Sequence, residues 1–402
     1  MSMMTRRQAA LAVSGALTSW AATEKAASGD LVRLVRVRAG GIQPQVARDD
    51  QDHLHLVYFT GDAHNGDLFY VLSTNGGVSF SDPVPVNSQR GSAIAAGTIC
   101  GAQLAVGKAG RVHVAWNGSN EAKPQGPVNP DSGKPGAPML YTRLNHSGKD
   151  FEPQRNLMHH SFGLDGGGSL AADKAGNVYV TWHGIGESEA SGKGAEGEAR
   201  RRVWLAKSAD DGQSFETERK AWSQPTGACG CCGMKAFADR QGNISVLYRS
   251  ATESVHRDIY LLRSKDRGQN FQGSLLHKWD INACPMSSMD IAENGKTVVG
   301  TWETGGQVYW ARLESDGRPS QPVAAPGDAK GRKHPRVAVN ENGEVLLVWT
   351  EGTGWQKGGS LAWQLYDSAG QATAEKQQLP GIPAWSFAGA VARRDNSFSV
   401  FC

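Results

Sequence analysis

Ser208-Ala209-Asp210-Asp211-Gly212-Gln213-Ser214-Phe215 recurs as Ser264-Lys265-Asp266-Arg267-Gly268-Gln269-Asn270-Phe271. Ser73-Thr74-Asn75-Gly76-Gly77-Val78-Ser79-Phe80 is a third copy with Asn for Asp, and Asn145–Phe151 keeps only Gly148 and Phe151. The pattern Ser-x-Asp-x-Gly-x-x-Phe reads as a hairpin turn. The Asp or Asn accepts backbone N–H bonds, Gly takes the positive-φ position, and Phe packs beneath.

Outward from these turns lies a larger repeat. A short apolar strand is followed by a polar turn, then by an alternating strand that ends near an aromatic residue. The aromatics are Tyr58, Trp116, Trp182, Tyr248, Trp302 and Trp349, spaced 58, 66, 66, 54 and 47 residues apart. Their strands are His53–Phe59, Arg111–Asn117, Asn177–His183, Asn243–Arg249, Lys296–Glu303 and Glu344–Thr350, each preceded by a shorter one. No long amphipathic helix follows residue 30. Strand-rich repeats of this length predict an all-β propeller of four-stranded antiparallel blades.

The turns resemble the Asp boxes of the sialidase superfamily, which lie between the third and fourth strands of propeller blades. The resemblance covers the chain from about residue 40. It implies a propeller and a glycan-directed hydrolase or glycan-binding protein. Sialidases imply six blades, and six full repeats are visible. A seventh half-repeat, Gly389–Arg393 and Ser397–Cys402, aligns with Gln45–Tyr58. The expectation is seven blades, the last closed by both chain ends with Leu31–Val37, and six is the alternative.

The first 28 residues read as a signal segment. Arg6-Arg7 precede a moderately apolar run, Ala9–Ala22, too short to span a bilayer. The pair resembles a twin-arginine signal. This predicts a periplasmic or secreted protein with one domain over residues 29–402. The whole chain has a formal net charge of +3. The signal carries +2 of it, leaving an almost neutral remainder. No basic run suggests nucleic acid, and no later stretch suggests a membrane span.

In an up-and-down blade the first-to-second and third-to-fourth turns share one face. The blade starts and second-to-third loops share the other, which in sialidases holds the active site. That mouth face collects Cys100, Asp165, Cys229–Cys232, Cys284, Met286, Lys333 and His334 from the blade starts. Asn117, His183, Arg249, Glu303 and Glu351 come from the second-strand ends. Two long loops, Gly118–Pro138 and Gly184–Arg202, lie there too.

Two chemistries compete for this face. Sialidases clamp the sugar carboxylate with three arginines and use a Tyr nucleophile tuned by Glu. The corresponding first-strand run here, Gly41-Ile42-Gln43-Pro44-Gln45, carries no Arg, which counts against sialic-acid hydrolysis. Arg249, Glu303 and Arg336 remain as catalytic candidates in an anion-binding funnel. Arg257, His183 and Asn117 are candidate substrate-binding residues, with a carbohydrate or glycoconjugate as partner. The same ionic residues also read as salt bridges stapling blades together.

The alternative is a metal-binding or thiol-redox propeller. Five of six cysteines fall at blade starts. Adjacent blades four and five bring Cys229, Cys231 and Cys232 near Cys284, and Cys100 reaches across the axis. These sulfurs, with Met286, suit copper(I) or zinc, and they equally suit disulfides. The spacing lacks a paired Cys-x-x-Cys, which disfavours a zinc-finger site. Cys402 reads as a closing-strand core residue.

Overall fold

The computed structural model describes residues 20–21, 31–97, 101–190, 197–314, 318–328 and 331–402. Apart from Trp20 and Ala21, the signal segment lies outside the described residues, as does Cys100. Among the described residues no helix is long and apolar enough to cross a membrane.

The chain is a seven-bladed β-propeller. Blade one is Ile42–Arg48, Leu54–Asp62, Asn65–Ser73 and Val84–Pro85. Blade two is Gln103–Val106, Val112–Asn117, Met139–Arg143 and Arg155–Asn156. Blade three is Ser169–Ala172, Val178–Gly186, Arg202–Ser208 and Arg219–Lys220. Blade four is Lys235–Ala238, Ile244–Arg249, Ile259–Ser264 and Gln272–His277. Blade five is Asp290–Glu293, Val298–Thr304, Gln307–Arg312 and Val323–Ala324. Blade six is Arg332–Val339, Val345–Glu351, Gly359–Tyr366 and Ala372–Ile382. Within each of these blades neighbouring strands run antiparallel.

Blade seven joins the two ends of the chain. Gly389–Ala392 and Phe398–Phe401 are antiparallel, and Val32–Val35 adds to Phe398–Phe401 in parallel, pairing Val32 with Phe398 and Val35 with Phe401. Three strands are described in this sheet. The added strand is parallel because it begins beside the start of Phe398–Phe401 and runs the same way.

Alternation gives each strand a buried row, and those rows meet between blades. Tyr179, Val203 and Leu205 of blade three pack with Ile244, Val246 and Tyr248 of blade four. The repeat aromatics Tyr58, Trp116, Trp182, Tyr248, Trp302 and Trp349 are all buried. Each such side chain contributes roughly 2–3 kcal/mol by leaving water.

The Ser-x-Asp turns join third to fourth strands. Ser208 Oγ donates to Asp210 Oδ1 at 2.7 Å and accepts from Gly212 N at 2.9 Å, and Ser214 N donates to Asp210 Oδ1 at 2.9 Å. Ser264, Asp266, Gly268 and Asn270 repeat this arrangement. Gly212 and Gly268 take φ of 77° and 79°, where a Cβ is strained. First-to-second turns carry a second motif that the sequence reading left as a generic polar turn. Asp173 holds Asn177, and Asp239 holds Asn243, each through backbone and side-chain bonds of 2.7–2.8 Å.

Both turn types lie on one face. Asp211, in the third-to-fourth turn of blade three, binds Arg111 Nε at 2.6 Å in the first-to-second turn of blade two. Blade starts gather on the opposite, mouth face. There Gly166 N donates to Gly230 O at 2.9 Å, and Gly233 N to Ser287 O at 3.0 Å, linking blades three, four and five.

Candidate functional site

Residues 228–234 form the loop that leads into blade four. Cys229 N donates to Arg249 O at 2.9 Å, Gly230 N to Glu198 Oε1 at 2.6 Å, and Cys232 N to Cys229 O at 3.3 Å. A Cβ on Gly230 would stand 2.4 Å from Arg201 Nη1, so glycine lets the Arg201 side chain lie on the loop. The tight loop turns three sulfurs inward, toward Cys284 from the start of blade five.

The four sulfurs of Cys229, Cys231, Cys232 and Cys284 lie within 4.8 Å of one another. Cys231 and Cys284 form a disulfide. Cys229 and Cys232 are free thiols with sulfurs 3.0 Å apart, and Cys229 Sγ is 3.7 Å from Cys231 Sγ. Burial grades across the cluster. Cys229 and Cys232 are 1% and 2% exposed, Cys231 is half-buried, and Cys284 is exposed. Cys229 donates to Cys232, and this bond together with burial raises the Cys229 pKa. Burial opposes ionisation of Cys232, but the bond from Cys229 and the Arg249 charge outweigh it and lower its pKa. Cys229 and Cys232 do stand in Cys-x-x-Cys spacing, a signal the sequence reading passed over because no second such pair accompanies it.

His183 borders this loop. It is 1% exposed, and neither ring nitrogen has a hydrogen-bond partner of good geometry. A Cβ on Gly167 would stand 2.2 Å from Cys232 O and 2.9 Å from His183 Nε2, so the imidazole abuts the cysteine loop. Burial, then the Arg201 charge, push its pKa down to about 3, which keeps it neutral. Met286 is half-buried beside Cys284 with φ of 49°. Met234 and Met289 pack in apolar clusters between blades. His159 and His160 are exposed, with their backbone N–H groups on Glu218.

The ionic candidates sit deeper. Arg249 Nη2 is 3.0 Å from Glu303 Oε2, with side chains 0% and 2% exposed. Its Nη1 donates to Arg257 O at 2.9 Å, Nη2 also reaches Glu303 O, and the guanidinium lies 5.1 Å over Trp279. Burial raises the Glu303 pKa, partly offset by Arg249. Arg336 stands apart from this pair. It donates to Ala388 O and Met289 O at 3.2 and 3.3 Å and covers Phe387 at 4.5 Å, joining blades five, six and seven. Burial lowers its pKa. Arg257 is 4% exposed and paired with Glu198, and Asn117 Nδ2 donates to Asp165 O at 2.8 Å. The three catalytic candidates thus lie in buried contacts between blades, and Arg336 does not join the Arg249–Glu303 pair.

Sequence reasoning missed Glu198. Its carboxylate receives Gly230 N and pairs with Arg257, and Arg201 stands 3.8 Å away. It clamps the long blade-three loop onto the cysteine loop. The only signal was the mixture of acidic residues and arginines in Gly184–Arg202. Elsewhere on the mouth face Trp355 is 60% exposed and stands edge-on to Trp385, ring centres 4.6 Å apart, whereas Trp363 is core. A cavity of about 600 Å³ lined by Lys108, Arg111, His146 and Asp211 opens on the turn face, away from the cysteines.

No protein-family profile matches the chain, and no curated protein matches it in sequence. Solved structures do. The α-L-arabinanase of Penicillium chrysogenum, complexed with arabinobiose, is 12% identical with a TM-score of 0.51 over 83% of this chain and 95% of its own. The Hadza microbial sialidase Hz136 is 13% identical with a TM-score of 0.49 over 82% and 69%. The K499G mutant of the NanB sialidase from Streptococcus pneumoniae is 10% identical with a TM-score of 0.46 over 90% and 64%. The chain therefore shares the fold of the arabinanase propeller. At these identities the likeness is one of fold.

Proposed function

We propose that this chain is an exported, sialidase-like propeller that binds a soft metal ion, copper(I) or zinc, on its mouth face. The ligands are Cys229, Cys231, Cys232 and Cys284. The observation that carries this reading is the convergence of four sulfurs within 4.8 Å from two blades. A tetrahedral zinc with Zn–S bonds of about 2.3 Å holds its sulfurs about 3.8 Å apart, within the span of this cluster. Thiolates equally suit copper(I). Reduction of Cys231–Cys284 supplies the full set. Arg249 beneath the loop offsets the negative charge that four thiolates bring. His183, neutral and without a hydrogen bond of good geometry at either ring nitrogen, is a further donor beside the loop, and Met286 adjoins Cys284. The paired arginines Arg6 and Arg7 favour export, and an exported chain would carry the site in the periplasm or outside the cell.

The test is anaerobic titration of the reduced protein with copper(I) or zinc against a chromophoric chelator. We expect one ion per chain, and an affinity at least about a hundredfold weaker in Cys232→Ala, which removes a ligand. A reduced wild-type protein that leaves all metal on the chelator overturns the reading.

A glycan-directed role is the second reading. It is favoured by Trp355, whose exposed ring beside Trp385 offers a face for a sugar. Binding fits this better than hydrolysis, because Arg249, Glu303 and Arg336 are engaged with protein groups. Loss of glycan-array binding in Trp355→Ala would support it. Turnover of a fluorogenic sialoside, abolished by Arg249→Ala, would instead restore the hydrolase.

A further inference from the structure

We infer that the four cysteines form an internal thiol–disulfide relay that carries two electrons from the buried Cys229/Cys232 pair to the exposed Cys284, where a disulfide substrate is reduced. The relay uses the sulfurs of the proposed metal site but operates in the metal-free protein.

Three observations carry it. The cluster holds one disulfide and one dithiol side by side. The gaps between successive sulfurs are short, 3.0 Å from Cys232 to Cys229 and 3.7 Å from Cys229 to Cys231. Exposure rises along the same line, from the buried pair to half-buried Cys231 and exposed Cys284. A purely structural disulfide needs no buried dithiol against it.

The steps balance as follows. Cys229 Sγ loses its proton to water and attacks Cys231 Sγ, 3.7 Å away. The Cys231–Cys284 bond breaks, and its electron pair leaves on Cys284 as a thiolate at the surface. Cys232, losing its proton to water, then attacks Cys229 and expels Cys231 as a thiolate. The disulfide now joins Cys229 and Cys232, and the dithiol is Cys231 and Cys284. Cys284 attacks one sulfur of an external disulfide, forming a mixed disulfide and releasing one thiolate. Cys231 displaces the second thiolate and restores Cys231–Cys284. The external disulfide gains two electrons, and the Cys229/Cys232 dithiol loses them.

The geometry favours a small or extended substrate. Cys284 is exposed, whereas Cys229 and Cys232 are closed off by the Glu198–Gly230 contact and by blade five through Gly233–Ser287. Of the four cysteines of the cluster, Cys284 is the most exposed, so an outside sulfur meets it first.

The experiment uses metal-free full-length protein carrying one disulfide per chain. Oxidised glutathione is the probe, thiol release is followed, and N-ethylmaleimide trapping with peptide mapping locates the disulfides. Wild type is expected to release two glutathione thiols per chain and end with Cys229–Cys232 and Cys231–Cys284 both closed. Cys229→Ala should cut the release at least about tenfold and leave Cys284 unlabelled. Cys402→Ala, outside the cluster, should behave as wild type. The inference is overturned if wild type releases no thiol and retains Cys231–Cys284 alone, or if Cys229→Ala releases as much as wild type. Trapping on the unsubstituted protein decides the matter even where a variant fails to fold. Failure of metal binding by fully reduced protein would leave this result untouched, so the two readings fail separately.

Discussion

Replacing Arg249 by Met, Glu303 by Gln, and both together tests whether this pair is a buried staple. Each side chain is almost fully out of water, and their charged atoms are 3.0 Å apart. Removing one partner of such a pair typically costs about 3–5 kcal/mol, because the other charge stays buried without compensation. In Arg249→Met, Arg257 O also loses its donor, worth about 1 kcal/mol. Glu303 keeps the bond from Gly306 N at 2.7 Å and escapes part of the penalty by taking a proton. Its pKa is already raised by burial, and loss of Arg249 raises it further. The folded variant then holds a proton that the unfolded chain releases, so its deficit should grow as pH rises from acid to neutral. The double variant should cost less than the sum of the singles, by about 1–3 kcal/mol. Urea unfolding followed by tryptophan fluorescence at pH 5 and pH 8 reads these values. The midpoint of Arg249→Met should fall by roughly 1–2 M at pH 8. A loss below about 1 kcal/mol at pH 8, with additive singles, would refute the staple and free Arg249 to bind a ligand.

Three further outcomes follow from the geometry. Gly167 has φ of 77° and leaves no room for a Cβ against Cys232 O and His183, so Gly167→Ala should displace the cysteine loop and weaken copper(I) binding at least about tenfold while circular dichroism stays near wild type. Burial and Asp239 push the Glu293 pKa up to about 7 from an ordinary 4.5. Between those values the folded chain keeps a proton that the unfolded chain has lost, so stability falls as pH rises and the cost is complete above 7. Glu293→Gln should therefore stabilise by about 1–2 kcal/mol at pH 8, allowing for solvent screening, and by little at pH 4, read from thermal melts. Asp266 receives Ser264 Oγ, Asn270 N and Asn270 Nδ2 at 2.6–2.9 Å, and Asp266→Ala should cost about 1–2 kcal/mol in urea unfolding without affecting metal binding.

The propeller was legible because its signals are local. A period-two strand ending in Trp116 or Trp182, and a Ser-x-Asp-x-Gly turn, each state their structure within about eight residues. The closure was legible only in part. The final half-repeat pointed to a shared blade, but nothing in Val32–Val35 encodes a parallel partner more than 360 residues away. The first strands of blades one and six reach back to Ile42 and Arg332, because Gln43-Pro44 and His334-Pro335 bulge out and pairing resumes before them, a break that no local periodicity marks. The placement of Cys229–Cys232 beside Cys284 followed from blade order alone. The depth of Arg249 did not. Strand alternation assigns a side chain to a face or an end, whereas its burial depends on Trp279, Glu303 and Arg257, which come from other strands and loops. Glu198 was hidden for the same reason, since its partners Gly230 and Arg257 lie 32 and 59 residues on.

The parallel pairing of Val32–Val35 with Phe398–Phe401 also constrains how the molecule is made. At ribosomal rates of about 5–20 residues per second, the first strand waits roughly 20–70 s before its partner has been synthesised. Until then the ring is an open arc. The Val35, Leu54 and Phe80 cluster lacks Phe401, and the blade-six cluster of Leu346, Trp363 and Leu365 lacks Phe398 and Val400. Two apolar blade faces are left uncovered, so the nascent arc is the species most exposed to capture by a chaperone or by another copy of itself. Deleting Phe398–Cys402 would make that transient state permanent.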